Sequence, residues 1–349
     1  MNHRSSSHIS RRNWLTTAVA AMATTAAGQQ GLSSAAAAIS GTTQSPDEHI
    51  PIIDTHQHLW DLKQLRTPWL ESAPEELRQR FHNEEYATAT AGLPIDQCVY
   101  MEIDVHPDDQ QKEADLLLAQ IANGRTPTKA AIISGRPDSE GFASFIRQFA
   151  DKPAIKGVRQ VLHPGTTPRG LCLHEQFIRS MHLLGEMGLS YDLCMRPAEI
   201  GDAVKLAQKC PETQFVLDHC GNARPEAFQK SKDQSPAGPS GHSADQWKRD
   251  IDDLAKCVNL SCKISGVIAS VKQGQDKVEL LSPIINHCLD AFGPDRVVFG
   301  GDWPVCRLGG TFAEWVSTLR TITMQRSVAD KNKLWHQNAR RIYRLSDAA

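Results

Sequence analysis

The sequence predicts an α/β fold, a distorted (β/α)8 TIM barrel, and three observations carry that prediction. Eight short apolar or β-branched runs recur between residues 51 and 347. Most of the segments between them place apolar residues at helical spacing, the alternation expected of parallel strands joined by crossover helices. The chain, at 349 residues, is also long enough for one barrel of ordinary size. A doubly wound open sheet needs the same elements, but no Gly-x-Gly-x-x-Gly follows the first run.

The first run, Pro51-Ile52-Ile53-Asp54-Thr55-His56-Gln57-His58-Leu59-Trp60, reads as a strand ending in two histidines one residue apart. Side chains on a strand alternate faces, so Asp54, His56 and His58 are expected on one face and Ile53, Thr55 and Gln57 on the other. Two converging imidazoles offer lone pairs to a divalent metal or N–H donors to a bound carbonyl. Residues 61–92 read as a long loop with one helix. Further strands are expected at Gln97–Ile103, Lys129–Ser134, Ile155–Leu162, Leu189–Met195, Gln214–Asp218, Val258–Ile264 and Arg296–Phe299.

Between them, Gln111–Ala122 carries Ala114, Leu117, Leu118 and Ile121 at helical spacing, and Phe177–Met187 carries Ile178, Met181, Leu184 and Met187. Residues 229–241, rich in Ser, Pro, Gly, Lys and Asp, read as a mobile loop placed to cover the active face. A helix is expected to start at an N-cap near Ser243, burying Trp247, Ile251, Leu254 and Ala255.

Residues 1–50 differ from the rest. Ser10-Arg11-Arg12-Asn13-Trp14-Leu15 is a twin-arginine pattern followed by an uncharged, Ala-rich segment, so residues 1–38 read as an export signal and 39–50 as a linker. The expected location is therefore periplasmic or secreted. Removing residues 1–38 takes away three arginines and no acid, moving the net charge from -2 to -5. A mildly acidic chain argues against nucleic acid as a partner, and no other run is long enough to span a membrane. A small molecule is the expected partner, and an oligomer is compatible with the chain. The nine cysteines form no CxxC pair and sit largely in apolar runs, the pattern of buried thiols.

In such a barrel the site lies at the C-terminal strand ends, and several of those ends close with ionisable residues near glycine. These are His56 and His58, Glu102 with Asp104, Arg159 with His163, Asp218-His219-Cys220-Gly221, Lys263-Ile264-Ser265-Gly266 and Gly300-Gly301-Asp302-Trp303.

The ordered set Asp54-Thr55-His56-Gln57-His58-Leu59-Trp60, Val216-Leu217-Asp218-His219-Cys220-Gly221, Lys263-Ile264-Ser265-Gly266 and Phe299-Gly300-Gly301-Asp302-Trp303-Pro304 resembles the amidohydrolase superfamily. Within it, the match is to the amidohydrolase-2 branch of sugar-lactone and dicarboxylate-lactone hydrolases, and Asn338-Ala339-Arg340-Arg341-Ile342-Tyr343 resembles that branch's last helix. The resemblance implies a hydrolase opening a small lactone, with His56, His58 and Asp302 at its centre. One divalent metal, Zn, held by those three residues, or no metal at all, is compatible with the branch. The fifth strand lacks the histidine and the fourth the bridging lysine of binuclear relatives.

On that reading Asp302 is the general base, taking a proton from the attacking water and returning it to the leaving ring oxygen. His56 and His58 polarise the carbonyl, directly or through the metal, and His219 holds the developing oxyanion. Arg159, Lys263, Glu102, Trp60 and Trp303 are the expected substrate-binding residues, while His163 is expected at the periphery. A nonoxidative decarboxylase is the alternative chemistry, and a non-catalytic binding barrel the alternative class.

Overall fold

The computed structural model describes residues 49–229 and 241–346. The expected export signal and nearly all of the expected 229–241 loop lie outside them. Eight parallel strands follow one another in chain order in one sheet: β1 (Ile52–Gln57), β2 (Ile95–Met101), β3 (Thr128–Ser134), β4 (Ile155–Val161), β5 (Ser190–Cys194), β6 (Gln214–Leu217), β7 (Leu260–Ile264) and β8 (Val297–Phe299). Ladders join each strand to the next, and the ring closes at a seam between β1 and β8. There a single bridge pairs Gln57 with Trp303. The His58 N–H donates to the Trp303 carbonyl at 2.9 Å and the Asp302 N–H to the His56 carbonyl at 2.8 Å. The Thr55 hydroxyl adds a bond to the Phe299 carbonyl at 2.6 Å.

Alternation along the strands sorts the core into two layers. Ile53, Val99, Met101, Ala130, Ile132, Val216 and Val298 face inward and pack against Ala339, Ile342 and Tyr343. The C-terminal helical segment thus plugs the lower mouth of the barrel, where the Gln97 side-chain amide also bonds the Ser346 carbonyl at 2.9 Å. Outward residues such as Cys98, Ile133, Val158, Phe215, Cys262 and Phe299 join the larger cluster under the helices. Each such aliphatic or phenyl side chain contributes roughly 1.5–3 kcal/mol on burial.

The expected helices form at Gln110–Asn123, Glu175–Glu186 and Ala244–Ala255. The first stops at Gly124, whose φ of 70° suits a left-handed cap. The third begins as its sequence dictates, with Ser243 Oγ accepting from the Gln246 N–H at 3.1 Å and Trp247, Ile251, Leu254 and Ala255 buried. Residues 61–92 hold the helix Asn83–Ala89 and two short 3-10 turns. All nine cysteines are buried and free. No helix among the described residues is long and apolar enough to cross a membrane.

One expectation about β1 fails. The register against β2 shifts between Asp54 and Gln57, a bulge that breaks the strict alternation and separates Asp54 from the two histidines. The Asp54 carboxylate instead accepts from the Tyr86 hydroxyl at 2.8 Å and the Gly301 N–H at 2.7 Å. It ties the seam from outside while His56 faces the interior.

Candidate active site

At the upper end of the barrel a cavity of about 620 Å³ opens, a volume suited to a small ligand. His58, Arg159, His219 and Asp302 line it, together with Asp104, His163, Trp69 and the arginines Arg169, Arg196 and Arg224. His56 lies one layer deeper, fully buried, with its Nε2 3.6 Å from Asp302 Oδ1.

The three possible ligand atoms at the centre, from His56, His58 and Asp302, define what the site can hold. His58 Nδ1 is 2.9 Å from the Met101 carbonyl, which can only accept, so the proton sits on Nδ1 and Nε2 presents a lone pair. That lone pair faces Asp302 Oδ1 at 3.3 Å. His56 Nδ1 lies 3.4 Å from Asp218 Oδ1 and 3.3 Å from Lys263 Nζ, and its Nε2 faces Arg159 NH1 at 3.2 Å. The ligand atoms of His56, His58 and Asp302 all lie within 4.8 Å of one another. Acceptors that converge this closely need a cation or a shared proton between them, so the donor set fits one divalent ion. A second ion beside Asp218 would be repelled by two fixed positive charges, since Lys263 Nζ stands 3.0 Å from Asp218 Oδ1 and Arg159 NH1 3.4 Å from its Oδ2.

His219 reaches the cavity through an unusual turn. After β6, four successive residues from His219 to Asn222 take φ values of 53°, 51°, 67° and 54°. For non-glycine residues this left-handed backbone costs roughly 1–2 kcal/mol each, strain of the kind stored at functional sites. It brings the His219 ring to 4.4 Å from that of His56, centroid to centroid. Gly266 makes room: a Cβ there would stand 2.2 Å from His219 Nδ1. Ser265 Oγ lies 2.9 Å from that nitrogen. With the hydroxyl donating, Nε2–H is left pointing away from the serine. Burial lowers the pKa of His219, and of His56 further still, so both rings are neutral at neutral pH.

Beneath this surface lies a dry layer of paired charges. Lys263 Nζ contacts Asp192 Oδ2 at 2.7 Å and Asp218 Oδ1 at 3.0 Å, and the Tyr343 hydroxyl reaches the same Asp192 oxygen at 3.3 Å. Burial pulls the ammonium's pKa down, but Asp192 and Asp218 outweigh it and raise the pKa above the ordinary lysine value. Asp192 is pushed up to about 6 by burial against the pull of Lys263. Arg159 Nε donates to Glu102 Oε1 at 2.6 Å and its NH2 to the Glu102 carbonyl at 2.7 Å.

The structure therefore brings together His56, His58, His219, Arg159 and Asp302, and corrects the remaining expectations. Lys263 and Glu102 are fully buried and off the cavity wall, so they orient His56 and Arg159 in place of touching a ligand. Trp60 and Trp303 are core. Trp60 donates to the Gln79 carbonyl at 2.8 Å and packs on Trp69 and Phe81, while Trp303 packs on Phe81 and Tyr86. The wall tryptophan is Trp69. His163, expected at the periphery, also opens on the cavity, its pKa lowered to about 4, chiefly by burial, with His219 and the Arg159 guanidinium nearby disfavouring a further positive charge. Where a fifth-strand histidine was absent from the sequence, Asp192 serves the lysine instead. Asp218 and Asp192 were missed as site residues, although a lone acid inside an apolar strand signals a buried partner. Arg169, Arg196 and Arg224 were missed because they sit in loops without a pattern.

Comparisons with known proteins bear on the family and the fold. The sequence pattern of the family described as amidohydrolase matches residues 53–345. L-fucono-1,5-lactonase of Burkholderia multivorans is 24% identical over 315 residues, covering 85% of this chain and 97% of the relative. L-rhamnono-gamma-lactonase of Scheffersomyces stipitis is 20% identical over 343 residues, covering 84% and 98%. A crystal structure of an amidohydrolase from Burkholderia multivorans with bound Zn superposes with a TM-score of 0.70 at 21% identity, covering 85% of this chain and all of that one.

Proposed function

The chain belongs to the amidohydrolase family, and on that premise we propose that it hydrolyses the ester bond of a small lactone, a sugar aldonolactone or a dicarboxylate lactone. The observation that carries the reading is the meeting of Asp302, His58, His219 and Arg159 on one cavity wall. The two lactonases among its relatives support the same class of bond.

Asp302 takes a proton from the water that attacks the lactone carbonyl, and returns it to the ring oxygen as the C–O bond breaks. A divalent ion held by His56, His58 and Asp302, for which Zn is the first choice, supplies Lewis acidity when bound. His58 gives its Nδ1–H to Met101, and its Nε2 faces Asp302. The N–H of His219 and the guanidinium of Arg159 are the donors left on the wall for the oxyanion, each worth roughly 3 kcal/mol of barrier. Arg159 stays charged, since Glu102 and the other nearby anions outweigh the effect of burial. The arginines at the mouth, Arg169, Arg196 and Arg224, suit the hydroxyls or carboxylate of the substrate and of the acid that leaves.

The test is proton release on a panel of aldono- and dicarboxylate lactones, wild type beside Asp302→Asn. Turnover by the wild type and a fall of about 10²–10⁴ in kcat for the variant are expected, the contribution of general base catalysis. Unchanged turnover in the variant removes Asp302 from the role of base.

A further inference from the structure

On the outer side of β6 and β7, away from the cavity, three cysteines from three separate segments converge. Cys220 stands in the left-handed turn that carries His219, Cys262 faces outward from β7, and Cys288 comes from the helix Lys277–Phe292. Their sulfurs lie within 4.8 Å of one another, and all three residues are wholly buried. No disulfide joins any pair. No histidine or carboxylate belongs to the group, and no other trio of cysteines gathers among the described residues. The surroundings are largely apolar: the three thiols hydrogen-bond one another, and Cys220 also meets the backbone of Ser265 and the Lys263 carbonyl, the latter 3.9 Å from its Sγ.

The geometry points to a second ion site, in which Cys220, Cys262 and Cys288 hold one copper(I) by their sulfurs. Thiolates are soft donors and select copper(I) over hard cations. Structural zinc takes four ligands in a tetrahedron, and this enclosed trio offers neither a fourth side chain nor room open to water. Copper(I) accepts three-coordination. Two S–H bonds break on loading, two protons pass to the buffer, and two thiolates with one neutral thiol surround the ion. No electron is transferred and no co-reactant is needed. The retained proton limits the buried net charge to minus one, which matters where charge is costly to bury. Since the trio has no opening, the ion enters while the chain folds. Once in place it fastens the His219 turn to β7 and to the helix behind.

The experiment uses the full chain produced in cells supplied with copper, purified without oxygen and dialysed against the copper(I) chelator bicinchoninate. Elemental analysis counts the copper that survives, and X-ray absorption identifies its neighbours. One copper per chain with sulfur neighbours alone is expected, retained in Cys98→Ser, whose thiol lies outside the trio. In Cys288→Ser retention should drop by at least about 10–100-fold, the loss typical of even an outer-shell partner. Copper that is absent from the wild type, surrounded by nitrogen and oxygen, or retained equally by Cys288→Ser overturns the assignment. Should the serine variant fail to fold, the neighbours seen in the wild type decide the matter alone.

Discussion

The cavity wall and the layer directly beneath it are built from the same residue types to opposite ends. On the wall, His58 and Asp302 face each other at 3.3 Å as two acceptors, and His219 is held on a strained turn. One layer down, Lys263, Asp192, Asp218 and Glu102 pair with one another and with Arg159, which reaches up to the wall, at distances between 2.6 and 3.4 Å. The wall holds unspent polar capacity, which a ligand or ion can use. The lower layer is largely paired as ions, although Asp192 Oδ1 and Asp218 Oδ1 accept no hydrogen bond, and it sets the position of what lies above. Breaking the wall should cost rate, whereas breaking the layer should cost stability.

The largest stability effect is expected from Lys263→Met, which leaves Asp192 and Asp218 buried beside each other without their cation. Removing one partner of a buried pair costs about 3–5 kcal/mol, readable as a lower denaturant midpoint. A midpoint equal to wild type would mean that the layer is not held together by charge. By contrast, Asp302→Asn should move that midpoint little while abolishing most turnover.

Gly266→Ala probes the boundary between the two regions. Its φ of +67° and the 2.2 Å approach of His219 Nδ1 to the added methyl leave the ring nowhere to stay. A stability loss of about 1–2 kcal/mol from the left-handed backbone is expected. The displaced donor should lower kcat about a hundredfold, since that is the usual worth of one oxyanion contact. Circular dichroism and steady-state kinetics on the same sample separate the two effects.

Glu113 sharpens the comparison from farther out. It is fully buried, and its Oε1 accepts from the Tyr100 hydroxyl and the Ile103 N–H, both at 2.9 Å. Burial, followed by the charge of Glu102, pushes its pKa up from 4.5 to about 8. Between those two values the folded chain keeps a proton that the unfolded chain has lost. This contribution to stability is therefore full below 4.5 and declines as pH rises towards 8. Glu113→Gln keeps an acceptor for both bonds and should flatten the decline by about 1.4 kcal/mol per pH unit. Denaturant unfolding at several pH values checks it, and an unaltered slope would show that Glu113 does not titrate in that range.

Much of this was legible in the sequence because burial on both faces leaves a strong trace. The runs that form β2 to β6 are buried over most of their length and rich in apolar and β-branched residues, and Ser243 with Trp247, Ile251, Leu254 and Ala255 marks the start and buried stripe of its helix. The histidine pair, Arg159, His219 and Asp302 were readable because each sits at the upper end of its strand. What could not be read depends on geometry that no local pattern encodes. The bulge in β1 sends Asp54 outward against the expected alternation. The exposure of Trp69 and the burial of Trp60 and Trp303 depend on how residues 61–92 fold over the barrel. Lys263 lies in a run that reads as a strand, and only the positions of Asp192 and Asp218 in space show that it faces acids and not substrate.

The seam has a consequence for how this enzyme comes into being. His56 and Asp302 are bonded through their backbones although 246 residues separate them along the chain, so the first and last staves of the barrel must meet before the reaction centre exists. A ribosome that has delivered seven strands has delivered no partial catalyst. Recovered turnover during refolding should therefore time the closing of the ring, and lag behind any signal that reports only the growth of secondary structure.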